Sequence, residues 1–430
     1  MKICVFGLWH LGTVTAACLA SHDFEVFGLD GNLEVVNNLN NGKPPLYEPG
    51  LEELIRQGIS KGRLSFSTDK KSVVGASDVV WITFDTPVDE DDHADVEFVE
   101  NEIRSIFPYL QSGTDVIISS QMPVGSTGKL ELEFLKRYPD LEITFFYSPE
   151  NLRLGKAIES FNNPARIVIG RRELSDITRI ENLLSAFCGR IEFMSVESAE
   201  MTKHALNAFL ATSVTFINEL AEICEQVGAD AKEVERGLKT EPRIGPRAYL
   251  GPGAAFAGGT LARDIEFLIG LGKKLNIPTP LFSSIRSSNN KHKTWSFRRL
   301  KTLLGSLKNC SIAVLGLTYK PGTDTLRRSS SVELCQLLNK EGAIVRAHDP
   351  AIKVLPESLH NIITLYQSIE ETVKNASSLV LATEWQDYKT LNAETIIPLM
   401  KNPIIIDPSG FLRETFGKNP GVRYNMVGKL

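Results

Sequence analysis

Two short stretches carry residue types that could do chemistry. "GPGAAFAGGTLARD", Gly251 to Asp264, surrounds its polar groups with glycine and alanine and closes on an Arg-Asp pair. Such turns bring backbone close to a ligand, but a reaction also needs a side chain that moves protons or electrons. In "TKHALNAF", Lys203 and Asn207 stand four residues apart and therefore on one face of a helix. Their neighbours are small or apolar, so that face is expected to be buried. Burial disfavours the ammonium form of a lysine, as a general base requires. Two polar positions on a solvated helix are the plainer alternative, since most lysines are exposed.

These stretches sit between two runs of α/β alternation. "KICVF" is a short apolar strand that enters the turn "GLWHLG", followed by the helical "TVTAACLASH" and the strand "EVFGLD", which ends on Asp30. Strand, glycine turn, helix, strand and terminal acid form the opening unit of a dinucleotide-binding fold. An acid at Asp30 would hydrogen-bond a ribose and repel a 2′-phosphate, which favours NAD over NADP. Trp9 stands where this turn usually carries its second glycine, so it obstructs or displaces the approach of a pyrophosphate.

"DVVWITFDTP", "DVIISSQMPVGS", "RIVIG" near 166–170 and "IEFMSV" near 191–196 add strands to the first sheet. Long helical periodicity follows from about Ala199 to Gly228. The alternation restarts with "CSIAVLGLTYKPGTD", "SSVELCQLLNKEG" and "AIVRAHDP", and "SSLVLATEW" and "PIIIDPSG" supply two further strands. The expected fold class is α/β, with two Rossmann-like doubly wound domains joined by a long helical spine. The expected domains are 1–196, 197–300 and 301–430, with a cleft between the α/β pair. In the second glycine turn, Lys320, Asp324 and Arg327 replace a full fingerprint; the cations suit a ligand phosphate, or the segment is a solvated basic loop.

The totals exclude other classes. A chain of 430 residues fits two or three domains, and 42 % hydrophobic with 23 % charged residues is globular composition. A net charge of -5 gives no basic field for nucleic acid. No run approaches the roughly 18 apolar residues that span a bilayer. The N-terminus enters a strand without a signal-peptide core, so a cytoplasmic protein is expected. The six scattered cysteines read as buried hydrophobes, and no Cys/His spacing suggests a metal.

The chain resembles the UDP-glucose/GDP-mannose (nucleotide-sugar) dehydrogenases over nearly its whole length. The resemblance rests on "PPLYEPGLEELI", "DTP" at 85–87, "MPVGST", "SPENLRLG", "PARIVIG", "TKHALNAFLAT", "PRIGP", the glycine-rich stretch, "GLTYKPGTD" and "TEWQDY". It implies an N-terminal NAD domain, a helical dimerisation region, a C-terminal nucleotide-sugar domain and oxidation of a sugar primary alcohol at C6. Carried over residue by residue, it implies NAD binding by Gly7, Trp9, His10, Leu11, Gly12, Asp30, Thr86, Pro87, Gln121 and Arg327. It implies substrate binding by Glu150, Leu152, Lys203, Asn207, Arg243, Tyr249, Gly253, Gly258 and Lys320, with Arg243 reaching the sugar site of the other subunit of a homodimer. Lys203 would be the base, Asn207 and Asp264 would hold the oxyanion and water, and Glu150 and Thr260 complete the catalytic set.

The departures are informative. Family members usually perform two hydride transfers, the second through a cysteine that forms a thiohemiacetal and then a thioester; here Thr260 occupies that position. A thiol ionises near pH 8.5, whereas an aliphatic alcohol stays protonated at neutral pH without a strong base. Gln121 replaces a threonine that helps place the catalytic water, Leu154 replaces a second acid, and Ser409 replaces a frequent arginine. The first oxidation is therefore expected to survive and the second to be lost. Full oxidation to the uronate through an aldehyde hydrate, or a catalytically silent nucleotide-sugar binder, are the alternatives.

Overall fold

The computed structural model describes residues 1–87, 94–150, 152–257 and 259–429. The chain separates into two compact units, Met1–Ala205 and Leu206–Leu430.

The first unit is built on an eight-stranded sheet in the order β3-β2-β1-β4-β5-β6-β7-β8. Its strands are β1 (Lys2–Phe6), β2 (Glu25–Leu29), β3 (Leu64–Ser67), β4 (Val79–Ile82), β5 (Asp115–Ile118), β6 (Thr144–Tyr147), β7 (Ile167–Arg171) and β8 (Ile191–Ser195). All neighbours run parallel except β6 and β7. β4 and β5 are buried at every position, which is why they read in sequence as continuous apolar runs. β3 and β6 were not expected: "LSFS" alternates buried with exposed or half-buried positions at the sheet edge, and "TFFY" is only four residues long. Chain order reverses between β1 and β4, so the loops after those strands flank a topological switch point.

The second unit carries a six-stranded parallel sheet in the order β11-β10-β9-β12-β13-β14. Its strands are β9 (Ser311–Leu315), β10 (Ile344–His348), β11 (Ile363–Leu365), β12 (Ser378–Leu381), β13 (Ile404–Ile406) and β14 (Arg423–Asn425). The three-residue edge strands β11 and β14 lack a sequence pattern long enough to announce them. The restarted alternation is thus a second doubly wound α/β sheet, as the sequence led us to expect.

The long helix runs from Val196 to Val227; it buries several polar side chains beside small apolar ones and leaves a row of large apolar ones exposed. Glu200, Lys203, His204, Asn207, Asn218 and Glu225 are buried, whereas Leu206, Phe209, Phe216, Ile223 and Val227 are exposed, Phe209 to 68 % and Val227 to 71 %. The buried acids are paired. Glu225 accepts from Trp295 Nε1 (3.0 Å), Arg299 (2.7 Å) and the Gly428 amide (3.0 Å). Glu222 contacts Arg298 (2.8 Å), His292 Nδ1 (3.1 Å) and Lys291 (3.3 Å).

The hydrogen bond from His292, helped by Arg298, outweighs burial and holds the Glu222 carboxyl at about 2, below its ordinary 4.5. A depressed carboxylate stabilises the fold fully above its unfolded value and loses that contribution as pH falls through the folded one. The unfolding free energy, measured by urea titration, should therefore fall between about pH 4.5 and about pH 2, and Glu222→Gln should flatten that decline. An unchanged slope in the variant would remove Glu222 as a cause.

Candidate active site

The turn after β1 meets the demands of a dinucleotide. Gly7 has φ +100°, and a Cβ on Gly12 would lie 1.8 Å from the Gly7 carbonyl oxygen and 2.6 Å from Thr83 Oγ1. Only glycine lets the helix His10–Ser21 start this close to the strand. Trp9, its N-cap, has extended backbone, makes no side-chain cap, and is 50 % exposed. The backbone therefore does not itself demand glycine at position 9, and the helix N-terminus is left uncapped, as an anion site requires.

Asp30 follows β2. Its Oδ2 accepts from the Leu8 amide (2.8 Å) and its Oδ1 from the Asn32 amide (2.9 Å), which leaves lone pairs on a half-buried carboxylate. The matching acid of the second unit, Asp349, is buried. Its Oδ2 takes the Leu317 and Thr318 amides, Thr318 Oγ1 and Trp385 Nε1 at 2.7 to 3.3 Å, and its Oδ1 takes the Ala351 amide. One fold position thus holds a ribose-ready acid in the first unit and a structural clamp in the second. The residues of the first turn fit NAD.

Thr86 Oγ1 donates to the Gln121 carbonyl (2.6 Å), joining the loops after β4 and β5; Pro87 ends the first of these described segments. Leu11 is buried and lines a cavity of about 90 Å³ with Trp81, Ser119, Glu150, Leu152 and Phe161. His10 Nε2 faces Glu48 Oε2 at 3.1 Å.

Lys203, as expected, is buried. Its Nζ donates to the Glu150 carbonyl and lies 3.4 Å from Glu150 Oε1, while Glu150 Oε2 accepts from the Leu152 amide (2.9 Å). The long helix thus fixes the segment after β6.

In the second unit, Asn207 Nδ2 donates to Asp264 Oδ2, and both residues are buried. Asp264 lies in the helix Thr260–Lys274, whose N-cap Gly259 has φ +109°. Thr260 opens that helix and is exposed. Among the described residues no base is hydrogen-bonded to its hydroxyl. Gly253 packs so tightly that a Cβ would lie 2.6 Å from Ser409 Oγ. Gly258 lies outside the described residues. Tyr249 is exposed, and Arg243 extends into solvent with Glu241 beside it (2.8 Å). Lys320 is half-buried and Arg327 exposed in the loop after β9.

The cysteines offer no substitute for a nucleophile. Burial pushes the Cys4 thiol far up and raises Cys18 and Cys335 to about 12. Cys188 and Cys224 are buried and Cys310 is half-buried. Only a thiolate attacks. Among the described residues no group of His, Cys, Asp and Glu could hold a metal.

Sequence reasoning missed two buried acids. Glu48, in "YEPG", accepts from the Gly155 and Ala157 amides (2.8 Å each) and so secures the segment that bears Glu150. Glu200 accepts from the Gly125 (2.6 Å) and Thr127 (3.0 Å) amides at the start of another helix, and burial raises its carboxyl. A carboxylate on an otherwise apolar or Pro/Gly-bound stretch is the signal that could have found both.

Two α/β sheets, with a glycine turn and a half-buried acid after the second strand of the first, have the form of a dinucleotide-binding protein. Descriptions of the UDP-glucose/GDP-mannose dehydrogenase family match the chain as its NAD binding domain over residues 1–188, its central domain over 197–291 and its UDP binding domain over 313–414. The chain belongs to this family. It is similar to UDP-glucose 6-dehydrogenase of Rhizobium meliloti (strain 1021), with 33 % identity over 442 residues and 100 % of both chains covered. It is 32 % identical to UDP-glucose 6-dehydrogenase TuaD of Bacillus subtilis (strain 168), over 100 % of this chain and 93 % of that one. A solved UDP-glucose dehydrogenase from Pyrobaculum islandicum superposes with a TM-score of 0.87 at 29 % identity, covering 100 % and 98 % of the two chains. The protein is an NAD-dependent oxidoreductase acting on the CH–OH of a nucleotide sugar.

Replacing Asp30 with alanine orphans the Leu8 amide and, if Asp30 holds the ribose, removes its partner. A lost buried hydrogen-bond partner costs about 1–3 kcal/mol, so NAD should bind roughly 5- to 150-fold more weakly by calorimetry. Unchanged affinity would remove Asp30 from the cofactor site.

Proposed function

We propose that this protein oxidises C6 of a UDP-hexose, UDP-glucose first among them, from alcohol to aldehyde and stops there. The observation that carries this is a contrast: a buried Lys203 pairs with the half-buried Glu150 and a buried Asn207 with the buried Asp264, whereas the loop position of the nucleophile holds an exposed Thr260.

Lys203, as the neutral amine, takes the C6 hydroxyl proton and becomes the ammonium, since it is the amine placed on the buried face of the long helix. Bound NAD supplies the acceptor for the hydride that leaves C6. Asn207, one helical turn on, offers its amide to the forming carbonyl oxygen, and Asp264 fixes the orientation of that amide. Burial makes each of these dipoles count for more than it would in water. Glu150 steadies the lysine through its carbonyl and carboxylate.

The second oxidation requires addition of a nucleophile to the aldehyde. Thr260 has no bonded base among the described residues to make it one, and the cysteine thiols at 4, 18 and 335 are suppressed by burial. The retained base and oxyanion groups favour an enzyme over a silent binder. The UDP binding domain supports a uridine nucleotide. Among the described residues no helix is long and apolar enough to cross a membrane, and a cytoplasmic site of action fits this reading.

A homodimer is part of the proposal. Leu206, Phe209, Phe216, Ile223 and Val227 are separated by three, seven, seven and four residues, the spacing of one heptad seam, and all are exposed. A second copy of the same helix is the partner that such a seam fits, and Arg243 would then reach the sugar site of that copy.

Mass spectrometry of products from NAD and a panel of UDP- and GDP-sugars, with a carbonyl trap, should find the trapped 6-aldehyde of a UDP-hexose. A uronate as the main product would overturn the two-electron reading. Thr260→Ala should keep the rate within about twofold, because it removes no group of the first step; collapse would point to covalent chemistry at Thr260. By sedimentation, Phe216→Asp should convert dimer to monomer. A wild-type monomer at micromolar concentration would refute the seam.

A further inference from the structure

The loop that leads into Thr260 and Asp264 has almost no side chains with which to hold itself. Between Gly251 and Gly259 its residues are glycine, alanine, one proline and one phenylalanine, so its own side chains supply few anchors. Its backbone is instead gripped from within the second unit. Asn218 Oδ1 accepts from the Gly253 amide (3.0 Å), and Asn218 Nδ2 donates to the Ala254 carbonyl (3.3 Å). Asn289 Oδ1 accepts from the Phe256 amide (3.0 Å) while its Nδ2 donates to the Phe256 carbonyl (2.9 Å), so one side chain serves both polar groups of one residue. His292 Nε2 lies 2.8 Å from the Gly253 carbonyl oxygen. The three side chains are only 2 %, 3 % and 5 % exposed.

We propose that Asn218, Asn289 and His292 are positioning residues, which hold the Gly253–Phe256 backbone so that the loop meets the nucleotide sugar already ordered. The inference rests on the function proposed above. It explains how a stretch composed for close approach can also be precise: small residues leave room for the ligand, and buried amides on the opposite side supply the rigidity that side chains of the loop cannot. Ordering paid in the folded protein is not charged against substrate binding.

His292 occupies a particular place in this cradle. Its Nδ1 faces Glu222 Oε1 at 3.1 Å, and Glu222 is in turn held by Arg298 and Lys291. Both ring nitrogens therefore face oxygen acceptors. A neutral imidazole has a single N–H and can donate to one of the two, whereas the doubly protonated ring serves both. An amide side chain that donates to the Gly253 carbonyl can take over that half of the role.

The full-length variants Asn289→Leu, His292→Leu and His292→Gln decide the matter. In Asn289→Leu and His292→Leu, KM for UDP-glucose should rise and kcat fall by at least about tenfold each, while the dissociation constant of NAD stays within about twofold. His292→Gln should recover most of the loss. Hydrogen exchange across 253–257 should quicken at least about tenfold in the leucine variants, with strand β9 unchanged. Kinetics and exchange both within twofold of wild type would overturn the proposal, as would a parallel loss of NAD affinity, which marks general destabilisation. If a leucine variant does not fold, Asn218→Asp, which keeps the acceptor for the Gly253 amide but loses the donor to Ala254, takes its place with the same expectations. If the wild-type protein neither binds nor turns over UDP-glucose, the functional reading fails. The exchange measurement then still decides whether these side chains order the loop.

Discussion

The long helix Val196–Val227 buries a row of polar side chains among small apolar ones, and the loops packed against it depend on that row. A charge or amide taken out of water must find a partner or it destabilises the fold. Each buried group on this helix has found one that matters. Glu200 fixes the loop after β5, Lys203 fixes the segment after β6, Asn207 fixes Asp264, and Asn218 fixes the glycine-rich loop. The helix therefore acts less as a spacer than as a rail of hydrogen-bonding groups, on which loops of low intrinsic order are hung. The apolar seam of Leu206, Phe209, Phe216, Ile223 and Val227 is left on the outside of the same helix.

Preorganisation and chemical competence are separable in this molecule. The backbone of the glycine-rich loop is held by Asn218, Asn289 and His292, and the loop leads into the buried Asp264. On the proposed reading, Thr260 at the loop's exposed end offers a hydroxyl with an added methyl where the second step would need a thiol. On that reading, proton removal and oxyanion stabilisation fall to Lys203, Asn207 and Asp264 and do not involve Thr260. It bears on aldehyde addition, for which an unassisted hydroxyl is a poor nucleophile at neutral pH.

The sequence made the two α/β units legible because their central strands are buried on both faces and read as unbroken apolar runs, such as "DVVWI" and "SIAVL". Edge strands were not, since three or four residues with one solvated face carry little pattern. Among candidate site residues, Lys203 and Asn207 stood out as polar positions at helical spacing on an apolar helix. Glu48, Glu200, Asn218, Asn289 and His292 did not, because their partners are backbone groups remote in sequence: Glu48 meets Gly155, and Asn289 meets Phe256. Only the folded chain brings them together. The paired acids Asp30 and Asp349 carry the same lesson. They occupy one position of a repeated fold, yet the surrounding donors make one available to a ligand and the other a clamp.

The claim that a complete first-step site has lost its second step is tested most directly by stoichiometry. With NAD in excess and the aldehyde trapped as it forms, NADH produced should equal the UDP-glucose consumed, one for one. A ratio of two, with the uronate as product, would contradict the account.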